Sequence, residues 1–139
     1  RYASGSSLGN IAESMKLGGE LGSLGSDSDE TPFDSERIGH LALERNKEAL
    51  KVLGQYSNWV ALGLVNLVNI LDPELVVIGG GITELGELLL DPIRKSFEKI
   101  TPESSLRAKE MVVLAKFGKK SGAIGAALLA KQKFLEDKR

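Results

Sequence analysis

The stretch LVVIGGGITELGELLLDP, residues 75–92, constrains the fold more than any other. Its first part, within ELVVIG, is continuously apolar and β-branched, which predicts a short strand buried on both faces in a sheet covered by helices. Three consecutive glycines, Gly79, Gly80 and Gly81, come next, and a helical pattern resumes near Thr83. Glycine adopts positive φ without penalty and carries no side chain, so the chain can turn sharply or a ligand can lie against its backbone. In open α/β sheets ligands sit beyond the carboxyl ends of the strands, where this loop falls. Two readings stand side by side: a nucleotide-facing loop, and a tight strand-to-helix turn that needs small residues. The stretch has no GK[ST] and does not match GxGxxG, and it holds no phosphate-gripping lysine. It therefore suits an adenine or ribose face better than a phosphate cradle.

The flanking segments supply helices. Leu8, Ile11, Ala12 and Met15 have helical spacing within residues 4–16. Residues 17–36 are rich in Gly, Ser and Asp and read as a loop. Its acidic Asp27, Asp29, Glu30 and Asp34 read as solvated side chains rather than a cation site. Asp34 or Ser35 can cap a helix from Glu36 to Arg45. Asn46 breaks it, and a long helix follows from Lys47 to Leu71. Past Trp59 its polar face nearly vanishes, which predicts burial of that half, with Tyr56 and Trp59 in the core or a subunit interface. Asn66 and Asn69 lie in that half and should bond to nearby backbone, because a buried amide is costly otherwise. Pro73 ends the helix, and Asp72 precedes it in the non-helical conformation that a following proline favours. Thr83 can cap a short helix, which Asp91-Pro92 restarts. EMVVLAKF is a second strand, and SGAIGAALLAKQKFLEDK a final helix that opens with Gly122, Ala123, Gly125 and Ala126 as a smooth packing surface. Helices alternating with buried strands define an α/β class.

Composition removes several functions. The 139 residues suffice for one domain of ordinary size, and 42% are hydrophobic, enough for a packed core. The net charge of −1 gives no general attraction to nucleic acid or anionic membrane. There is no cysteine, hence no disulfide and no thiolate metal site, which fits a reducing cytosol. The longest apolar run, WVALGLVNLVNIL, is short of the roughly 20 residues a membrane span needs. His40 is the single histidine and reads as a surface or helix-packing residue; a metal site or a Ser/His/Asp triad around it is not indicated. The chain begins with Arg1 and reads as a piece of something longer.

The order YASGSSL, then NLVNILDPELVVIGGGITELGELLLDPIR, then SGAIGAALLA resembles the C-terminal part of the ROK family, its glucokinase branch above all, across essentially the whole chain. The resemblance implies the C-terminal part of an actin-like ATPase (ribonuclease H-like) lobe, so residues 1–139 form a single partial domain. It implies that Gly79, Gly80 and Gly81 pass beside the adenine and ribose of ATP, with Ile82 and Thr83 flanking. It implies that the last helix packs at the hinge between lobes. The family's zinc-binding cysteine motif, Glu-x-Gly-His sugar motif, catalytic aspartate and phosphate loops have no counterpart here and would lie upstream. ATP and Mg²⁺ are thus cofactors of a parent protein, and zinc enters only through ligands before Arg1. Two departures stand out. Arg45-Asn46 replaces a common Gly-Asp, leaving the sharpness of that break open. Lys119-Lys120 stands where an acidic residue is common; two cations there oppose the helix dipole by a few tenths of a kcal/mol each, which points to a partner or a phosphate nearby.

The resemblance implies a cytoplasmic, ATP-dependent hexose kinase, glucose first, transferring phosphoryl to the sugar's 6-hydroxyl. The alternative is the effector lobe of a sugar-responsive ROK repressor. A third reading is an assembly segment whose long apolar helix builds a homodimer or larger homo-oligomer. None of these takes nucleic acid or membrane through this segment.

Overall fold

The computed structural model describes residues 7–21, 34–101 and 111–136. Among the described residues there are five α-helices and a two-stranded parallel sheet: α1 (Ser7–Leu17), α2 (Ser35–Leu43), α3 (Lys47–Leu71), β1 (Val76–Ile78), α4 (Glu87–Ile100), β2 (Val112–Leu114) and α5 (Ser121–Glu136). Two short 3₁₀ turns, Gly81–Leu85 and Gly118–Lys120, precede α4 and α5. Val76, Val77 and Ile78 pair with Val112, Val113 and Leu114. The crossover from β1 to β2 runs through α4, the usual way to join parallel neighbours. The predicted α/β class, helix-rich with few strands, is the observed one.

The core forms where α3 and α4 pack together, with α1 and α2 against α3. Val52, Leu53 and Ala61 of α3 meet a set from α4 that includes Leu89, Ile93 and Phe97, all at or near zero exposure. The helix boundaries follow local chemistry. The Asp34 side chain accepts from the Arg37 amide at 2.6 Å and caps α2. The Asn46 side-chain oxygen Oδ1 accepts from Glu48 N and Ala49 N at 2.9 and 3.0 Å and caps α3. The break before α3 is sharp without a glycine, because Arg45 itself takes the left-handed conformation at φ 63°. Of the acidic loop, Asp27, Asp29 and Glu30 lie outside the described residues.

Several expectations fail. Asp72 is left-handed (φ 42°, ψ 52°), not extended: its amide still closes the last turn on Val68 O at 2.9 Å, and helix capping outweighs the preference imposed by Pro73. Thr83 caps no helix; it lies inside the Gly81–Leu85 turn. Asp91-Pro92 does not restart a helix, since α4 starts at Glu87 and runs through Pro92. The second half of α3 is not buried as a whole. Tyr56 is core, but Trp59, Leu62, Leu67, Ile70 and Leu71 are exposed, as are Asn66 and Asn69, so no buried amides need bonding there. Val77 is 55% exposed, so β1 is covered on one face only. No residue of α5 is buried, and space is open around Gly122 and Gly125. Among the described residues one layer of helices covers one side of the sheet, which leaves those apolar faces exposed.

Candidate functional site

The three glycines are not equivalent. Gly79 continues the line of β1, and a Cβ there would touch Ala115 Cβ at an ordinary 3.8 Å. Gly80 has φ 99° and ψ −178°, a region essentially reserved for glycine, so it makes the turn. Gly81 opens the 3₁₀ turn without positive φ, and a Cβ built on it would meet nothing within 4 Å. Conformation therefore requires glycine at position 80, whereas at position 81 its effect is to keep space free.

Thr83 is turned inward. Its hydroxyl donates to Gly80 O at 2.6 Å, its amide donates to the same carbonyl at 3.2 Å, and only 7% of the residue is exposed. It fixes the turn and has no hydroxyl proton left for a ligand. Behind it, Gly118 (φ 49°) brings the second 3₁₀ turn close, with its Cβ position 3.6 Å from Thr83 Oγ1. Lys119, next in sequence, binds Glu84 at 2.8 Å across the two turns. The hydrogen bond and charge of Glu84, with a lesser contribution from Glu36, hold the Lys119 ammonium above its ordinary pKa. The partner expected for the cations ahead of α5 is thus, for Lys119, a carboxylate of the chain itself.

A cleft of about 450 Å³ lies between α2 and the Gly81–Leu85 turn, within the range of small-molecule sites. Gly81, Ile82, Glu84 and Leu85 form one wall; Ser35, Glu36, Gly39, His40 and Leu43 form the other, with Lys119 at the edge. The α2 residues recur at the spacing that places them on one helix face. A Cβ on Gly39 would lie 3.5 Å from Leu85 Cδ2, an ordinary contact, so the helix and the turn are close-packed there. Of the predicted residues, Gly81 and Ile82 line the cleft, whereas Gly79, Gly80 and Thr83 shape the turn behind it. The α2 wall escaped sequence reasoning, which left His40 as a surface or packing residue. One signal was available: a glycine inside a helix costs about 1 kcal/mol against alanine, which singles out Gly39 on this face. Among the described residues no group of three His, Cys, Asp or Glu could hold a metal ion. No described helix is long and apolar enough to cross a membrane.

A family model described as "ROK family" matches residues 1–133. The chain belongs to the ROK family. It is 33% identical over 106 residues to a glucokinase of Streptomyces coelicolor, covering 75% of this chain and 33% of that protein. It is 30% identical over 86 residues to an N-acetyl-D-glucosamine kinase of Mannheimia succiniciproducens, covering 60% of this chain and 27% of that one. A crystal structure of a ROK family glucokinase from Streptomyces griseus, in complex with glucose and AMPPNP, superimposes with a TM-score of 0.70 at 32% identity, over 94% of this chain and 43% of that one. The ROK chain described here thus spans a third or less of the length of those two relatives. The fold, a helix-rich part of an actin-like ATPase lobe, agrees with the resemblance read from the sequence.

Proposed function

We propose that this chain is the nucleotide-side segment of an ATP-dependent sugar kinase, and that the cleft between α2 and the Gly81–Leu85 turn takes the adenosine of ATP. The observation that carries the reading is the cleft itself. Bare backbone at Gly81 and Gly39, with Ile82, Leu43 and Leu85 as apolar lining, suits the flat face of a purine. The match to a glucokinase solved with glucose and AMPPNP supports ATP as the donor and a hexose as the acceptor. Lys119 is engaged by Glu84, so the cleft has no free lysine for the phosphates, which would extend away from it.

In the reaction the sugar's 6-hydroxyl oxygen forms a bond to the γ-phosphorus as the bond from that phosphorus to the β,γ-bridging oxygen breaks; ADP leaves. The hydroxyl proton passes to a carboxylate of the parent protein outside this chain. Magnesium would supply neutralisation of the charge that develops on the transferring phosphoryl group. The described residues do not suit it, and its ligands, like those of zinc, belong to the rest of the parent in this proposal. The chain's own part is to bind and orient the adenosine end, so that the far end meets the sugar at a fixed distance. A cytoplasmic location and self-association through the apolar face of α3 belong to the same proposal; light scattering that shows a monomer would remove the latter.

The test is phosphoryl transfer from ATP to glucose, N-acetylglucosamine and other hexoses by the intact protein. Sugar-dependent ADP release is the expected result. Sugar binding without turnover, with a helix-turn-helix in the intact protein, would assign a repressor instead. The 139-residue chain alone should show no micromolar ATP binding in calorimetry, because its cleft takes only the adenosine end.

A further inference from the structure

The polar rim of the cleft is uneven. On the turn side Glu84 and Lys119 satisfy each other at 2.8 Å. On the helix side Glu36 and His40 stand one turn apart on the same face of α2, both lining the cleft. The Glu36 carboxylate makes no hydrogen bond among the described residues. Lys119 senses its charge, yet the lysine's hydrogen bond goes to Glu84. The cleft therefore presents two carboxylates and one lysine that is already engaged. An anionic group entering it would be repelled. A neutral group carrying N–H or O–H donors would find an ionised acceptor, and such charge-assisted bonds are the stronger kind.

Resting on the reading of the cleft as the adenosine site, we propose that Glu36 sets its nucleoside specificity: the free carboxylate accepts a hydrogen bond from a neutral donor of the nucleoside, a ribose hydroxyl or the exocyclic amine of the base. Glu84 contributes by taking the Lys119 hydrogen bond, at 2.8 Å. The apolar surface of Ile82, Leu43 and Leu85 would accept any purine, so it cannot select among nucleosides. Glu36 is the one rim carboxylate without a hydrogen-bonded partner among the described residues. His40, one turn on, offers its ring beside the same ligand.

The experiment compares KM and kcat of the intact kinase, at saturating sugar, for ATP, 2′,3′-dideoxy-ATP and purine riboside 5′-triphosphate. The proteins are wild type, Glu36→Ala, Glu36→Gln and, as a control on the cleft itself, Gly81→Leu. Glu36→Ala is expected to raise KM for ATP about tenfold, the equivalent of about 1.4 kcal/mol, with kcat within about twofold. Glu36→Gln, which keeps a neutral acceptor oxygen, should lie between wild type and alanine. Alanine should also erase the penalty against one analogue. Loss of discrimination against the dideoxy compound assigns the contact to ribose, and against the purine riboside to the base amine. An equal rise in KM for all three nucleotides, or no rise, while Gly81→Leu still weakens ATP, would overturn the role of Glu36 and leave the cleft standing. If neither variant moves KM, the adenosine site lies elsewhere and both proposals fall.

Discussion

Replacing Gly81 with leucine separates the two meanings of the glycine run. A Cβ at position 81 meets nothing within 4 Å and the backbone there is not left-handed, so the new side chain enters the cleft without straining the turn. Folding stability should stay within about 0.5 kcal/mol of wild type, as for other substitutions that disturb no packing. Adenosine in the cleft would meet the leucine directly. Overpacking of a fitted site costs about 1–3 kcal/mol, and at 1.4 kcal/mol per tenfold that is roughly a 5- to 150-fold rise in KM for ATP. Gly80→Leu should do the reverse. At φ 99° and ψ −178° a leucine is strained by about 1–3 kcal/mol, so thermal stability falls, and nucleotide affinity falls only as far as the turn deforms. The assay is a coupled ADP-release measurement at saturating sugar, run beside differential scanning fluorimetry on both variants. Gly81→Leu leaving KM within twofold, with Gly80→Leu clearly destabilised, would refute the reasoning. The glycines would then serve turn geometry alone.

Three other outcomes test the fold. Arg45→Gly should stabilise: it relieves a left-handed arginine that costs about 1–2 kcal/mol, less about 0.4–1 kcal/mol for the freer unfolded glycine, and a raised urea midpoint would register the difference. Phe97→Ala empties a fully buried site on α4 and should cost about 3–5 kcal/mol, visible as a large drop in the same midpoint; a loss under 1 kcal/mol would mean that the α3–α4 core is wrongly drawn. The Lys119 pKa is raised above 10.5, so whatever the Glu84 pair contributes is fully present below that value and is lost as pH rises through the higher, folded-state pKa. Glu84→Gln should return the NMR titration of the Lys119 side chain toward its ordinary position; identical titrations in both proteins would show that the pair does not form in solution.

Helix positions were legible where a local group decides them. Asn46 and Leu71 bound α3 as read, because an amide cap and a following Asp-Pro act within a few residues of the backbone they terminate. Asp34 capped α2 for the same reason. The strand-glycine-turn order was equally plain, and with it the α/β class. Burial was less legible. The α3 sequence past Trp59 demands cover, yet a helix face is buried only by what lies against it, and among the described residues Leu67 and Ile70 stay 50% and 78% exposed. Val77 is likewise exposed, and no residue of α5 is buried.

The site shows the limit most clearly. Periodicity and glycine chemistry found one wall, since Gly81 and Ile82 are adjacent to the strand that announces them. They could not find the other, because α2 lies some forty residues away in sequence and only the folded chain brings it against the turn. Thr83, flanking the loop in sequence, does not line the cleft. Its hydroxyl and amide both close on Gly80 O, which pulls residue 83 inward and leaves 81 and 82 as the turn's outer edge. A ligand in this cleft would therefore touch the helix as much as the glycines. The residues able to choose that ligand sit on α2, where no local pattern marks them.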